Sequence, residues 1–158
     1  MRTDPLQHLP DTINTNWKVG IVASSFYKEE VDALIGAAQS TLLGAGLSEN
    51  NVQTHWAAGS FEIPLIGSAL AESAHVDALI GLGIIIEGET EHARLLAEQT
   101  ARGVMDVQLK YAMPFAFEIL YVKNLQLARE RASGEQNKGK EAAHAVLHSL
   151  AKLHSIRS

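Results

Sequence analysis

Apolar and polar residues along this chain fall into blocks of two kinds. Continuous apolar runs at residues 18–23, 52–57, 76–86 and 115–122 read as buried strands, the third of them the central one. Between and after them, residues 28–45, 63–73, 92–111, 125–132 and 138–154 read as helices. Val31, Leu34, Ile35, Ala38 and Leu42 mark the buried face of the first helix by their three- and four-residue steps. Ala97, Ala101, Val104 and Met105 share one face of the third, and Ala142, Ala143, Val146, Leu147, Leu150 and Leu153 form the apolar stripe of the last. Gly44 and Gly46 are expected to stop the first helix.

Strands alternating with helices predict an α/β protein. The expected architecture is a three-layer α/β/α sandwich around a central four-stranded parallel sheet. Residues 1–16 read as a polar N-terminal tail, either packed on a neighbour or loose, and residues 17–158 as one domain. Ligands of such sheets bind beyond the carboxyl ends of the strands. The loops after Ser24, Ala57, Ile86 and Leu120 are therefore the places to look for chemistry.

Composition narrows the classes of function. A chain of 158 residues with 46% hydrophobic and 20% charged residues can sustain a single core. The net charge of −5, with no basic cluster beyond Lys138-Gly139-Lys140, disfavours a nucleic-acid surface. With no cysteine, disulfides, thiolate nucleophiles and cysteine-based zinc sites are excluded. No signal-peptide pattern opens the chain and no apolar run nears the roughly 18 residues of a membrane span, so a cytoplasmic protein is expected.

The first loop, Ser24-Ser25-Phe26-Tyr27, is aromatic. Phe26 either stacks on a planar ligand or folds back onto the core. In the second, Ala58-Gly59-Ser60-Phe61-Glu62-Ile63-Pro64, Ser60 is either an N-cap for the next helix or part of a polyol-binding set with Glu62. The third contains Gly83 and Gly88 at the spacing of a phosphate-binding P-loop, but Glu89 stands where that motif needs lysine. A nucleotide site is rejected on that ground. There remains a helix start opened by Thr90, whose free N–H groups and dipole suit one phosphate, with His92 in the first turn as a proton-transfer candidate. His144 and His148 have i, i+4 spacing, but the H-E-x-x-H pattern is missing and a solvated helix face explains them, so no metal site is assigned. Arg129 and Arg131 are both candidates for bidentate phosphate capture.

Read together, these segments resemble the lumazine synthase family. The matching pieces are Gly20-Ile21-Val22 with Phe26; Gly59-Ser60-Phe61-Glu62-Ile63-Pro64; residues 77–83; Glu87-Gly88-Glu89-Thr90-Glu91-His92; Glu130-Arg131-Ala132; and Asn137-Lys138-Gly139. Their order and separation follow the family pattern across residues 17–153. The resemblance implies a flavodoxin-like fold and a cytoplasmic transferase of riboflavin biosynthesis that uses neither cofactor nor metal. Its substrates would be 5-amino-6-(D-ribitylamino)uracil and 3,4-dihydroxy-2-butanone 4-phosphate.

The same resemblance implies roles for single residues. Phe26 would stack on the pyrimidine, and Ser60, Phe61 and Glu62 would hold the ribityl chain. The backbone of Ile85 and Ile86 would pair with the pyrimidine edge. Glu89 and Thr90 would bind phosphate with Arg131, and Lys138 would lie near the same site. His92 would transfer protons, and Phe117 would reach the site of a neighbouring subunit. A homopentamer, often assembled further into shells, and riboflavin synthase as a partner are implied as well.

The chain departs from the pattern at Tyr27 (usually Asn), Ala57-Ala58 (Val-Pro), Glu87 (a basic residue) and Glu118 (Gly), and its turn between Ala132 and Asn137 is one residue short. These departures make a non-catalytic lumazine- or flavin-binding shell protein the chief rival reading. An archaeal-type riboflavin synthase is disfavoured by the Gly59–Pro64 segment and His92. A flavodoxin-like binding module is disfavoured by the short aromatic first loop.

Overall fold

The computed structural model describes residues 7–158; the first six residues of the expected tail lie outside it. The β-branched and leucine-rich runs form four strands: β1 (Val19–Ser24), β2 (Val52–Ala57), β3 (Ala78–Ile86) and β4 (Phe115–Val122). The periodic segments form five helices: α1 (Lys28–Gly44), α2 (Ile63–Glu72), α3 (His92–Tyr111), α4 (Leu125–Arg131) and α5 (Lys138–Arg157). Short 3-10 turns at Glu49–Asn51 and Ser60–Glu62 precede β2 and α2.

All strand pairs are parallel, in the order β2-β1-β3-β4. That order reverses between β1 and β3, which makes their carboxyl ends the topological switch point. The pleat sends alternate side chains to opposite layers. Val19, Ile21, Ala23, Ala78, Ile80 and Leu82 pack with α1, α4 and α5, while Val22, Leu79, Ile85, Phe115 and Ile119 pack with α2 and α3. The three-layer α/β/α expectation holds. Each fully buried Leu or Ile contributes about 1.5–3 kcal/mol, so the two cores together carry the fold.

Two local expectations change. Gly44 is the last residue of α1 and Ala45 its right-handed C-cap, so the chain turns at Gly46, whose φ is +108°. Only the second of the two glycines supplies the conformation that ends the helix. In addition, Ser60 does not cap α2: it lies inside the preceding 3-10 turn, and Glu62 occupies the N-cap position without a side-chain bond.

The Asn137-Lys138-Gly139 turn pins α5 to the rest of the layer. Asn137 Oδ1 accepts from Gly139 N–H at 2.7 Å, and its Nδ2 donates to Ala132 O at 2.7 Å and Ala33 O at 3.3 Å. Gly139 rests on the backbone of α1, where an added Cβ would run into the Leu34 carbonyl. Gly139→Ala is therefore expected to destabilise the protein by at least about 1–3 kcal/mol, since a backbone carbonyl cannot swing aside as a side chain can. Chemical denaturation with matched slopes measures this; an unchanged midpoint would show that the two helices do not rely on this close approach.

Candidate functional site

The crevice at the switch point is built by a difference in strand length. The ladder between β1 and β3 ends at Ala23 and Leu82, whereas that between β3 and β4 continues to Ile86 and Val122. Residues 83–86 consequently have no strand beside them on the β1 side. Backbone polar groups in that position need a partner, and a flat heterocycle with donors and acceptors along one edge supplies it. Ile85 is buried and Ile86 lies at the rim, so here the backbone and not the side chains faces the opening.

The loop after β1 borders this edge. Its first residue is tied to β2, with Ser25 N–H and Ser25 Oγ both donating to Ala57 O, at 3.1 and 2.7 Å. Phe26 N–H donates to Ser24 Oγ at 3.2 Å. Tyr27 takes a left-handed conformation (φ 54°, ψ 51°), which asparagine accepts more readily than tyrosine. With the backbone so turned, Phe26 is 64% exposed and does not fold back onto the core. Its ring lies along Gly59, 3.3 Å from where a Cβ would stand, with Glu62 Oε1 at 3.5 Å from the same point. The absence of a side chain at Gly59 lets ring and carboxylate share one wall.

Ser60 forms the floor. It is buried beside Gly83, where an added Cβ would stand 2.5 Å from Ser60 Oγ. That hydroxyl has no hydrogen-bond partner among the described residues. Phe61 is exposed and Glu62 half-buried.

Beyond β3, residues 87–91 lead into α3. Thr90 Oγ1 accepts from His92 N–H at 3.3 Å, and His92 is exposed. The helix dipole favours an anion here. Glu87, Glu89 and Glu91 oppose it, and Arg94 offsets part of that charge through a 2.6 Å contact with Glu91.

Arg131 and Lys138 stand elsewhere. They line a cavity of about 710 Å³ between α4, α5 and the N-terminal tail, together with Gln7, Asn137, Glu141 and His144. Thr90 and His92 are not in its wall. Arg131 Nη1 donates to Leu127 O at 3.2 Å, and Lys138 Nζ meets Glu141 Oε2 at 2.8 Å, which holds the ammonium above its ordinary pKa. Arg129, the other arginine candidate, is tied to buried Glu30 at 3.1 Å and braces α4 on α1. Phe117 is 39% exposed on the opposite face of β4. One chain thus places the anticipated residues in three groups: the switch-point crevice, the Arg131–Lys138 cavity and the Phe117 face. As for the histidine pair of α5, His148 Nε2 meets His8 O at 2.7 Å and His144 is buried.

Asn137 and Glu141 have no part in the sequence reading of the site. The signal for Asn137 is its place as N-cap of the last helix. For Glu141 it is the i, i+3 spacing from Lys138.

Fold and crevice together define an α/β protein of flavodoxin-like strand order, with an open backbone edge at the β1/β3 switch point and the N-terminus of α3 next to it. The chain belongs to the 6,7-dimethyl-8-ribityllumazine synthase family, whose sequence model matches residues 16–154. It is 37% identical over 145 residues to the 6,7-dimethyl-8-ribityllumazine synthase of Ruthia magnifica subsp. Calyptogena magnifica, covering 88% of this chain and 87% of that protein. For the Leuconostoc mesenteroides subsp. mesenteroides protein of the same name the values are 33% over 145 residues, with 91% and 93% covered. For that of Coxiella burnetii they are 35% over 140 residues, with 88% and 92% covered.

The unpaired Ser60 hydroxyl generates a test with a sign. A helix-capping serine loses about 1 kcal/mol on truncation to alanine, whereas an orphaned buried hydroxyl gains roughly that much. Ser60→Ala is expected to raise the stability of the ligand-free protein. A drop in melting temperature would restore the capping role.

Proposed function

We propose that the chain condenses 5-amino-6-(D-ribitylamino)uracil with 3,4-dihydroxy-2-butanone 4-phosphate to 6,7-dimethyl-8-ribityllumazine, at sites shared between copies of itself. The observation that carries this reading is the open backbone edge of β3, with the exposed Phe26 ring on one side and the α3 start on the other, in a member of this family.

The pyrimidine would stack on Phe26 and pair its edge with the backbone of Ile85 and Ile86. The ribityl chain would run over Ser60, Phe61 and Glu62, meeting the buried hydroxyl that now lacks a partner. The phosphate would sit at Glu89 and Thr90. An amine of the pyrimidine attacks the ketone and the imine forms with loss of water. The hydroxyl-bearing carbon next to the imine then gives up a proton and phosphate leaves from the terminal carbon beyond it. The resulting enol becomes a ketone, and the second amine closes the ring on that carbonyl with loss of another water. His92, at the phosphate end, would take and return protons in these steps, worth about 10²–10⁴-fold. Holding the two reactants against each other supplies roughly 7–11 kcal/mol in favourable cases.

Arg131, Lys138 and Phe117 do not reach that crevice within one chain, so the reading has a second copy provide them. The surface supports such an assembly. Leu109 (71% exposed) and Met105 on α3, and Phe117 and Tyr121 on β4, leave apolar area in water that a monomer has no reason to display. A closed ring of copies, a homopentamer by family resemblance, would cover it and bring two half-sites together.

Mixing the assembled protein with both substrates should yield the fluorescent lumazine without added cofactor; binding of lumazine with no turnover would instead fit a shell or carrier protein. Arg131→Ala is expected to raise KM for the sugar phosphate by about 10–100-fold, the loss of one charged hydrogen-bonding partner, and to leave KM for the pyrimidine nearly unchanged. His92→Ala should lower kcat with little change in either KM. Equal loss for both substrates in the first variant, or an unaltered rate in the second, would remove the residue from its role.

A further inference from the structure

Glu118 is the charged residue for which the fold has least obvious use. The β4 pleat puts it in a row with Ala116 and Leu120, both of which pack on the apolar cluster of α1, α4 and α5. A carboxylate in that row is pointed into the protein. What it faces there is charged: Lys138 and Glu141 of α5, joined to each other at 2.8 Å, with Arg131 of α4 near enough to act on Lys138. Lys138, Glu141 and Arg131 all line the 710 Å³ cavity.

We infer that Glu118 is a positioning residue that sets the anion affinity of this cavity, competing as a carboxylate for Lys138 and releasing it when protonated. The inference rests on the reading of Arg131 and Lys138 as phosphate-binding groups. The cavity wall carries Arg131, Lys138 and Lys140 against Glu130, Glu135 and Glu141, so its own charges cancel before Glu118 is counted. With Glu118 ionised, the balance is one negative charge and Lys138 is drawn away from an entering anion. With Glu118 neutral, that repulsion is gone and Lys138 is free to meet the anion.

Burial, and then repulsion from Glu141, push the Glu118 carboxyl up to about 7, with Lys138 pulling the other way. The change of state therefore falls in the neutral range. The sign follows from linkage: an anion prefers the protonated form, so its affinity falls as pH rises through about 7, and its binding takes up a proton. His8 and His144 line the same cavity and are kept in every variant below, so the comparison between variants isolates Glu118.

The experiment uses sulfate, an anion that carries no proton near neutrality, titrated calorimetrically into the assembled protein in two buffers of different ionisation enthalpy. Wild type should bind sulfate about three- to tenfold more weakly at pH 8 than at pH 6, and take up part of a proton per sulfate near pH 7.5. Glu118→Gln should bind with a clearly smaller pH slope and less proton uptake; Glu118→Ala should do the same if the glutamine variant folds poorly. Arg131→Ala should abolish the binding, which locates it. In turnover, KM for the sugar phosphate should rise with pH in wild type and lose that slope in Glu118→Gln, while KM for the pyrimidine follows one course in both. Identical slopes and proton uptake in wild type and Glu118→Gln overturn the inference, as does sulfate binding that survives Arg131→Ala or is absent from wild type. Failure to form lumazine would sink the catalytic reading alone, because the sulfate titration decides on Glu118 without it.

Discussion

The site depends on β3 outrunning β1. Four residues, 83–86, stay paired to β4 after β1 has turned away, and their backbone is left open at the one place where the strand order reverses. A sheet with equal ladders would have no such edge, since β1 would occupy it. The surrounding elements adapt to that overhang. The β1–α1 loop is held to β2 by Ser25 and turns through the left-handed Tyr27, which leaves Phe26 beside the edge. The 3-10 turn before α2 lays Ser60 over Gly83, and α3 begins beyond the overhang, where its dipole favours an anion.

Much of what marks the chain as a family member maintains this geometry. Asp77 accepts from Lys18 N–H at 2.8 Å and fixes the entry into β3. Gly81 and Gly83 leave room for Ile63, Phe115 and Ser60, and Gly59 makes room for Phe26. Asn137 and Gly139 seat α5 on α1. The proposed chemistry falls to fewer groups: Phe26, Glu62, Thr90, His92, Arg131 and Lys138. The departures at Tyr27 and Glu118 lie next to these groups without replacing any of them.

The elements were legible in the sequence because local pattern and tertiary burial agree. Residues 78–86 are apolar because both faces of β3 are covered, and the α1 stripe is the face that the core receives. The resemblance supplied the site residues, but their grouping was hidden. Which strand runs past its neighbour is set by register between segments over fifty residues apart, as for Leu82 against Ala23. Arg131 and Thr90 both follow a strand's carboxyl end, yet α4 carries Arg131 into a cavity that Thr90 does not line. Ser60 looked like a cap by residue type alone, and the intervening 3-10 turn changed its surroundings. The direction of Glu118 needed the pleat of β4, and its company needed the packing of α5.

The central claim of the proposed function is that one chain holds two halves of a site and that neighbours complete it. Co-assembly of two inactive variants tests it most directly: Phe26→Ala, which spoils the crevice half, and Arg131→Ala, which spoils the cavity half. Unfolded together and refolded at equal amounts into one ring, they should regain about one quarter of wild-type activity, because one neighbour pairing in four joins two intact halves. Activity no greater than that of the separate variants, from rings shown to contain both, would place the whole site within a single chain and contradict the account.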